Sequence, residues 1–213
     1  MSEWSASHRY KHASAPGGAG LIQDFLNTVR IHDYGPDLLA DAALAREWST
    51  TAVRTWAELR GVRAEAPVLN EADLSKLRAL RDLIGQLVRG EAVDGSRIGA
   101  VSASFELSDT GEVRLIPVGT GWRRLASVLW AEVLLSQQED TWRRIKQCHN
   151  HPCQSVFYDR SKNNSGVWCD VKTCGNAANL RASSARRRDR ERAAAAGGLS
   201  PAPAAGAAIR GPN

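Results

Sequence analysis

The chain has 213 residues, 43% of them hydrophobic, with 28 Lys and Arg against 23 Asp and Glu, for a formal net charge of +5. That is enough apolar material for a packed core, and no run of about 18 apolar residues offers a membrane span. The first twenty residues lack the apolar stretch of a secretory leader, so the expected address is the cytoplasm, where thiols stay reduced.

Taken in chain order, residues 1–18 are polar and rich in Gly, Ser and Ala, which predicts a disordered tail. Residues 19–140 then read as a mainly helical domain. Leu21, Ile22, Phe25, Leu26 and Val29 recur at helical spacing. Asp41 is placed to cap a helix over ALAREWSTT, and Asn70 to cap EADLSKLRALRDLIGQLVRG. In the second of these, Leu74, Leu77, Leu80, Ile84, Leu87 and Val88 form one apolar stripe. The period then changes, and SFELSDTGEVRLIPV predicts a β-hairpin turning at Asp109 to Glu112. GWRRLASVLWAEVLLS returns to helix. Trp48, Trp56, Trp122, Trp130 and Trp142 suit core packing first, with walls for an effector cavity as the alternative.

Residues 141–192 read as a second unit with a core separate from the first. RRIKQC suits a short strand, QSVFYDRSKNNSGVWC a hairpin turning at KNNSG, and the stretch from Asp170 a helix. Residues 193–213, rich in Pro, Gly and Ala, predict a second disordered tail. The whole is α+β: mainly helical, with small β elements.

Charge is divided between these units. Residues 1–140 hold 15 Lys and Arg and 19 Asp and Glu, a net of −4, whereas residues 141–192 hold 12 and 4, a net of +8. Such local density points to a polyanion, nucleic acid first. The same unit holds all four cysteines, Cys148, Cys153, Cys169 and Cys174, in the pattern C-x4-C-x15-C-x4-C. Two close pairs separated by a hairpin's length of chain are what a tetrahedral structural zinc requires. The metal would supply folding energy to a segment too small for a good core of its own. His149 and His151 lie inside the first pair and are alternative ligands. Four thiolates would leave no open position for a catalytic water.

The stretch CHNHPCQSVFYDRSKN…VWCDVKTCGN resembles the CGNR zinc-finger family of bacterial proteins, in its cysteines and in Phe157, Asp159, Ser161, Lys162, Asn163, Trp168, Gly175 and Asn176. LIQDFLNTV and the DLLAD stretch resemble the ABATE domain that usually accompanies it. The resemblance implies a treble-clef or zinc-ribbon-like finger, one structural zinc, and a stress-induced transcription regulator whose finger contacts DNA. Three basic positions of the family are blank. Ala177 stands where the family has Arg, Asn179 where Lys is common, and Gly166 and Val167 precede Trp168 where a basic residue is usual.

The remaining candidates for DNA contact are Lys162, Arg181, Arg186, Arg187, Arg188, Arg190 and Arg192. Arg181, Arg188 and Arg192 fall on roughly one helical face. In the helical domain, Asp24, Asn27 and Thr28 form a polar set beside an apolar face, a candidate lining for a small effector. No Ser/His/Asp, Cys/His or phosphate-loop pattern favours an enzyme. The expected protein is a DNA-binding regulator with a sensing or dimerising helical domain. Its rival is a zinc-stabilised module that docks an acidic protein through the arginine helix.

Overall fold

The computed structural model describes residues 4–30, 35–97 and 99–197. Helices α1 (Ser5–His8), α2 (Ala19–Leu26), α3 (Ala42–Arg60) and α4 (Glu71–Arg89) come first. A hairpin follows, of β1 (Ala103–Leu107) and β2 (Val113–Pro117), and then α5 (Trp122–Gln138). Two three-residue strands, β3 (Ile145–Gln147) and β4 (Val156–Tyr158), precede the final helix α6 (Asn176–Gly197).

The helix ends obey local chemistry. The Asp41 side chain accepts from the backbone N–H groups of Ala43 and Leu44, and Asn70 and Asp73 form a reciprocal capping box. α3 and α4 end at Gly61 and Gly90, whose left-handed backbones (φ 62° and 69°) let the chain leave each helix. The first hairpin turns where expected, with Phe105 opposite Leu115 and Leu107 opposite Val113.

α2 lies at the centre of the helical part. Leu21, Ile22 and Phe25 are fully buried among Trp48 and Trp56 of α3, Leu74, Leu77, Leu80 and Ile84 of α4, and Leu125 and Leu129 of α5. Trp122 is buried with them, and Trp130 and Trp142 pack half-buried on the same core. Glu132 and Arg81 enter this core paired. Glu132 accepts from Trp56 Nε1 at 2.6 Å and from Arg60 Nε at 2.8 Å, and Arg81 donates to both oxygens of Asp37.

Residues 4–18 correct the expectation of a disordered tail; residues 1–3 lie outside the described residues. Trp4 is 3% exposed and Ala6 is fully buried. The Trp4 indole lies where a Cβ on Gly20 would have to be, and the Glu132 carboxylate does the same at Gly18. These glycines let the first segment and α5 close onto α2. At the other end α6 continues to Gly197, past the predicted boundary at 192; the rest of the predicted tail, 198–213, lies outside the described residues.

The second unit also departs from expectation. β4 pairs antiparallel with β3, Ile145 opposite Tyr158 and Gln147 opposite Val156, rather than with the segment before Trp168. Ile145 and Val156 belong to the main core, so the two units share apolar packing.

Candidate metal centre and basic helix

The β3–β4 pair brings Cys148 and Cys153 into a tight knuckle. Cys148 N donates to Ser155 O at 2.8 Å and Cys153 N to Asn150 O at 2.7 Å. The second knuckle opens α6 through one wide helical turn, in which Cys174 N and Gly175 N both donate to Asp170 O. The Asp170 carboxylate caps that turn by accepting from Thr173 N at 2.7 Å. Gly175 is needed for close packing, since a Cβ there would stand 3.1 Å from the Trp168 indole. His149 N donates to Val167 O and so joins the two knuckles.

A tetrahedral zinc with Zn–S bonds of about 2.3 Å sets its sulfurs about 3.8 Å apart. Here the four Sγ atoms all lie within 4.8 Å of one another, with Cys153 to Cys169 at 3.7 Å and Cys169 to Cys174 at 3.5 Å. By themselves the thiols cannot all ionise. Contact with Cys153 pushes Cys148 up to about 11, contacts with Cys148 and Cys153 push Cys169 further up, and the same cluster holds Cys153 down. A divalent cation at the centre removes that conflict by favouring all four thiolates. The donor set therefore fits one structural zinc. Cys148 and Cys174 are buried, Phe157 is buried with them, and Trp168 packs half-buried beside them as the finger's own small core. His149 and His151 are exposed, and the His149 ring meets Trp168 edge-on at 6.0 Å. Among the described residues, the group able to hold a metal is the four cysteines without either histidine.

The loop from 159 to 169 is organised by a buried carboxylate whose role the sequence only suggested. Asp159 accepts from Lys146 Nζ at 2.7 Å, Ser161 N at 2.9 Å and Gly166 N at 2.7 Å. Burial alone would raise its pKa, but the ammonium and the N–H donors outweigh that and hold it well below the usual carboxylate range. A Cβ on Gly166 would stand 2.8 Å from Asp159 Oδ1. The basic residue expected before Trp168 therefore has no room at Gly166 unless the carboxylate shifts.

Asp24, Asn27 and Thr28 do not open onto a pocket. All three are fully buried and bonded to protein groups. Asp24 accepts from Ser7 N at 2.7 Å and Trp48 Nε1 at 2.8 Å, which fixes the N-terminal segment on the helical core. Asn27 behaves like one residue of a neighbouring strand. Its Nδ2 donates to Val156 O and its Oδ1 accepts from Val156 N, each at 2.8 Å, which ties β4 to α2. Thr28 Oγ1 donates to Phe25 O and accepts from Arg81 Nη1. The polar face seen in the sequence is thus an anchoring face, on which Asn27 alone reaches the finger while Asp24 and Thr28 bond within the helical part.

The basic candidates divide as well. Arg181 donates to Asn150 Oδ1, so it braces α6 against the first knuckle instead of facing outward free. Arg187 pairs with Glu191 at 3.5 Å. Arg186, Arg188, Arg190 and Arg192 are exposed along α6, and Lys162 is exposed on the loop. Asn150, Lys146 and Ser155 were not anticipated. No spacing rule reveals them, because each acts through a backbone group or a side chain distant in sequence.

A knuckle after a strand, a second knuckle opening a helix, and four convergent thiols define a zinc finger of the structural kind. More particularly, residues 144–187 match the CGNR zinc finger, a match that spans both knuckles and the first half of α6. A comparison with curated proteins gives no match.

Proposed function

We propose that the chain is a DNA-binding transcription regulator in which zinc fixes the root of α6 and the helix presents its arginines to phosphates. The observation that carries this reading is α6 itself. It is 22 residues long, so about 33 Å. From Asn179 to Ala194 every residue except Ala185 is exposed, and the root of the helix is held by the second knuckle and by Arg181. A helix with so little packing needs a partner or an anchor to persist. Six exposed arginines, of which Arg181 and Arg187 are already bonded to Asn150 and Glu191, suit a polyanion, and contacts of this kind set position without reading sequence. The resemblance of the helical part to an ABATE domain supports a sensing role for it. A cavity of about 410 Å³ between α4 and the first knuckle, lined by Arg30, Gln86, Arg89 and Gln154 among others, offers room for a small effector. No helix is long and apolar enough to cross a membrane, and a cytoplasmic, nucleoid-facing location is part of the proposal.

Fluorescence anisotropy of the zinc-loaded protein on a labelled duplex from upstream of its own gene, beside a random duplex, tests the reading. Binding that is lost on chelation and regained with added zinc is expected. Binding indifferent to zinc would remove α6 from the interface, and no binding to either duplex would favour docking to an acidic protein.

A further inference from the structure

The segment between α1 and α2 lies across the finger and reaches its metal centre. It is held on both sides of His12. Tyr10 Oη donates to Val29 O at 2.7 Å. Ala15 N donates to the buried Gln23 Oε1 at 2.6 Å, and Gln23 Nε2 bridges Ala13 O at 3.3 Å and Val156 O of β4 at 3.4 Å. Arg160, just beyond β4, donates to Ser14 O. Between these ties, His12 Nε2 stands 2.6 Å from the Ser155 hydroxyl oxygen. That oxygen stands 3.1 Å from Cys153 Sγ. Ser155 is fully buried, and its own carbonyl accepts from Cys148 N at 2.8 Å. One serine therefore touches both cysteines of the first knuckle, through its backbone at one and its hydroxyl at the other.

Counting hydrogens fixes the direction of this chain of contacts. A hydroxyl has one hydrogen to donate. A thiolate that ligates zinc has none, so the contact with Cys153 is a bond only if Ser155 donates to the sulfur. Ser155 then has no hydrogen left for His12, so the 2.6 Å contact is closed by His12 Nε2–H donating to the hydroxyl oxygen. The chain runs one way, from His12 to Ser155 to Cys153. It ends on an anion, which makes the last bond charge-assisted, and each link polarises the next. Without the metal, a Cys153 thiol could instead donate to Ser155 and turn the chain round.

We infer that Ser155 and His12 are positioning residues of the metal centre: Ser155 donates to the Cys153 thiolate, and His12 orients Ser155 from 143 residues away. The segment before α2 then takes part in retaining zinc, which the spacing of the cysteines does not show. The inference is independent of DNA binding.

Zinc affinity of the full-length protein, read by competition with a chromogenic chelator, tests it together with the absorption of the Co2+-loaded protein. Ser155→Ala and His12→Phe should each weaken zinc roughly 10-fold, as loss of an outer-shell partner does elsewhere. Both should also move the thiolate-to-cobalt charge-transfer band to longer wavelength, because a sulfur that loses a hydrogen-bond donor gives up its electrons more readily. His12→Gln, whose amide can donate in place of Nε2–H, should stay near the parent in both readouts. His12 is only half-buried, so the two His12 variants decide the matter even where Ser155→Ala fails to fold. Unmoved affinity and band in His12→Phe would overturn the inference. Weaker zinc with an unmoved band, or His12→Gln as weak as His12→Phe, would overturn it too, leaving the segment as packing alone.

Discussion

Asn27 shows what single residues do in this chain. Its amide satisfies both backbone groups of Val156, 129 positions away, inside a seam closed to water. Asn27→Ala would leave a buried N–H without its partner and a carbonyl short of its best donor, a loss of about 2–4 kcal/mol. The check is a denaturation midpoint, and a change under about 0.5 kcal/mol would mean that the seam is unimportant. Asp24 makes a pH-dependent contribution. Burial pushes its pKa up to about 6 despite its bonds to Ser7 and Trp48. The folded state then binds more protons than the unfolded state between about pH 4 and 6. Its contribution is full below pH 4 and is lost as pH rises through 6, by up to about 3 kcal/mol. Relative to the parent, Asp24→Asn should therefore show a flatter or inverted slope of stability against pH in that window. Identical slopes would place the Asp24 pKa near its ordinary value. The four cysteines were legible because their spacing is itself the chemistry. Asn27 was visible only as part of a polar helical face, since nothing local announces a partner 129 residues on.

The elements were legible wherever their signals were local. Caps at Asp41 and Asn70, the α4 stripe and the turn after Leu107 all lie within a few residues of what they control. β3 and β4 were harder, because three residues carry no period and their pairing is set by the knuckle between them. The N-terminal segment misled by composition. Gly, Ser and Ala suggested disorder, yet Gly20 of α2, lacking a Cβ, leaves room for the Trp4 indole. Trp4→Ala should cost about 3–5 kcal/mol, as for a buried tryptophan. A loss below about 1 kcal/mol, measured by chemical denaturation, would restore the view of an unattached tail. α6 is the element most dependent on the metal. Cys174→Ser should remove amide protection from 169 to 197 first, read by hydrogen exchange. Retained protection there would show that α6 does not need its zinc anchor.

At the scale of the whole molecule, Ile145 and Val156 place the finger's strands in the helical core. Separate cores, as the sequence suggested, would allow zinc loss to spare the helical part. With a shared core, chelation should lower its melting temperature as well, and calorimetry that shows an unchanged main transition would count against that coupling. The division of charge, −4 over residues 1–140 and +8 over 141–192, assigns the proposed polyanion contact to the finger and α6. Arg181 is held by Asn150 and Arg187 by Glu191, so of the candidate contacts Lys162, Arg186, Arg188, Arg190 and Arg192 remain to displace counterions. The most direct measurement is DNA affinity of the zinc-loaded protein against salt concentration. Each phosphate neutralised contributes about −0.9 to the slope of log K on log salt, so a slope near −4 is expected, falling to about −1 to −2 in the triple variant Arg188→Ala, Arg190→Ala, Arg192→Ala. A slope near zero, or a steep slope that the triple variant leaves unchanged, would contradict a DNA contact through α6.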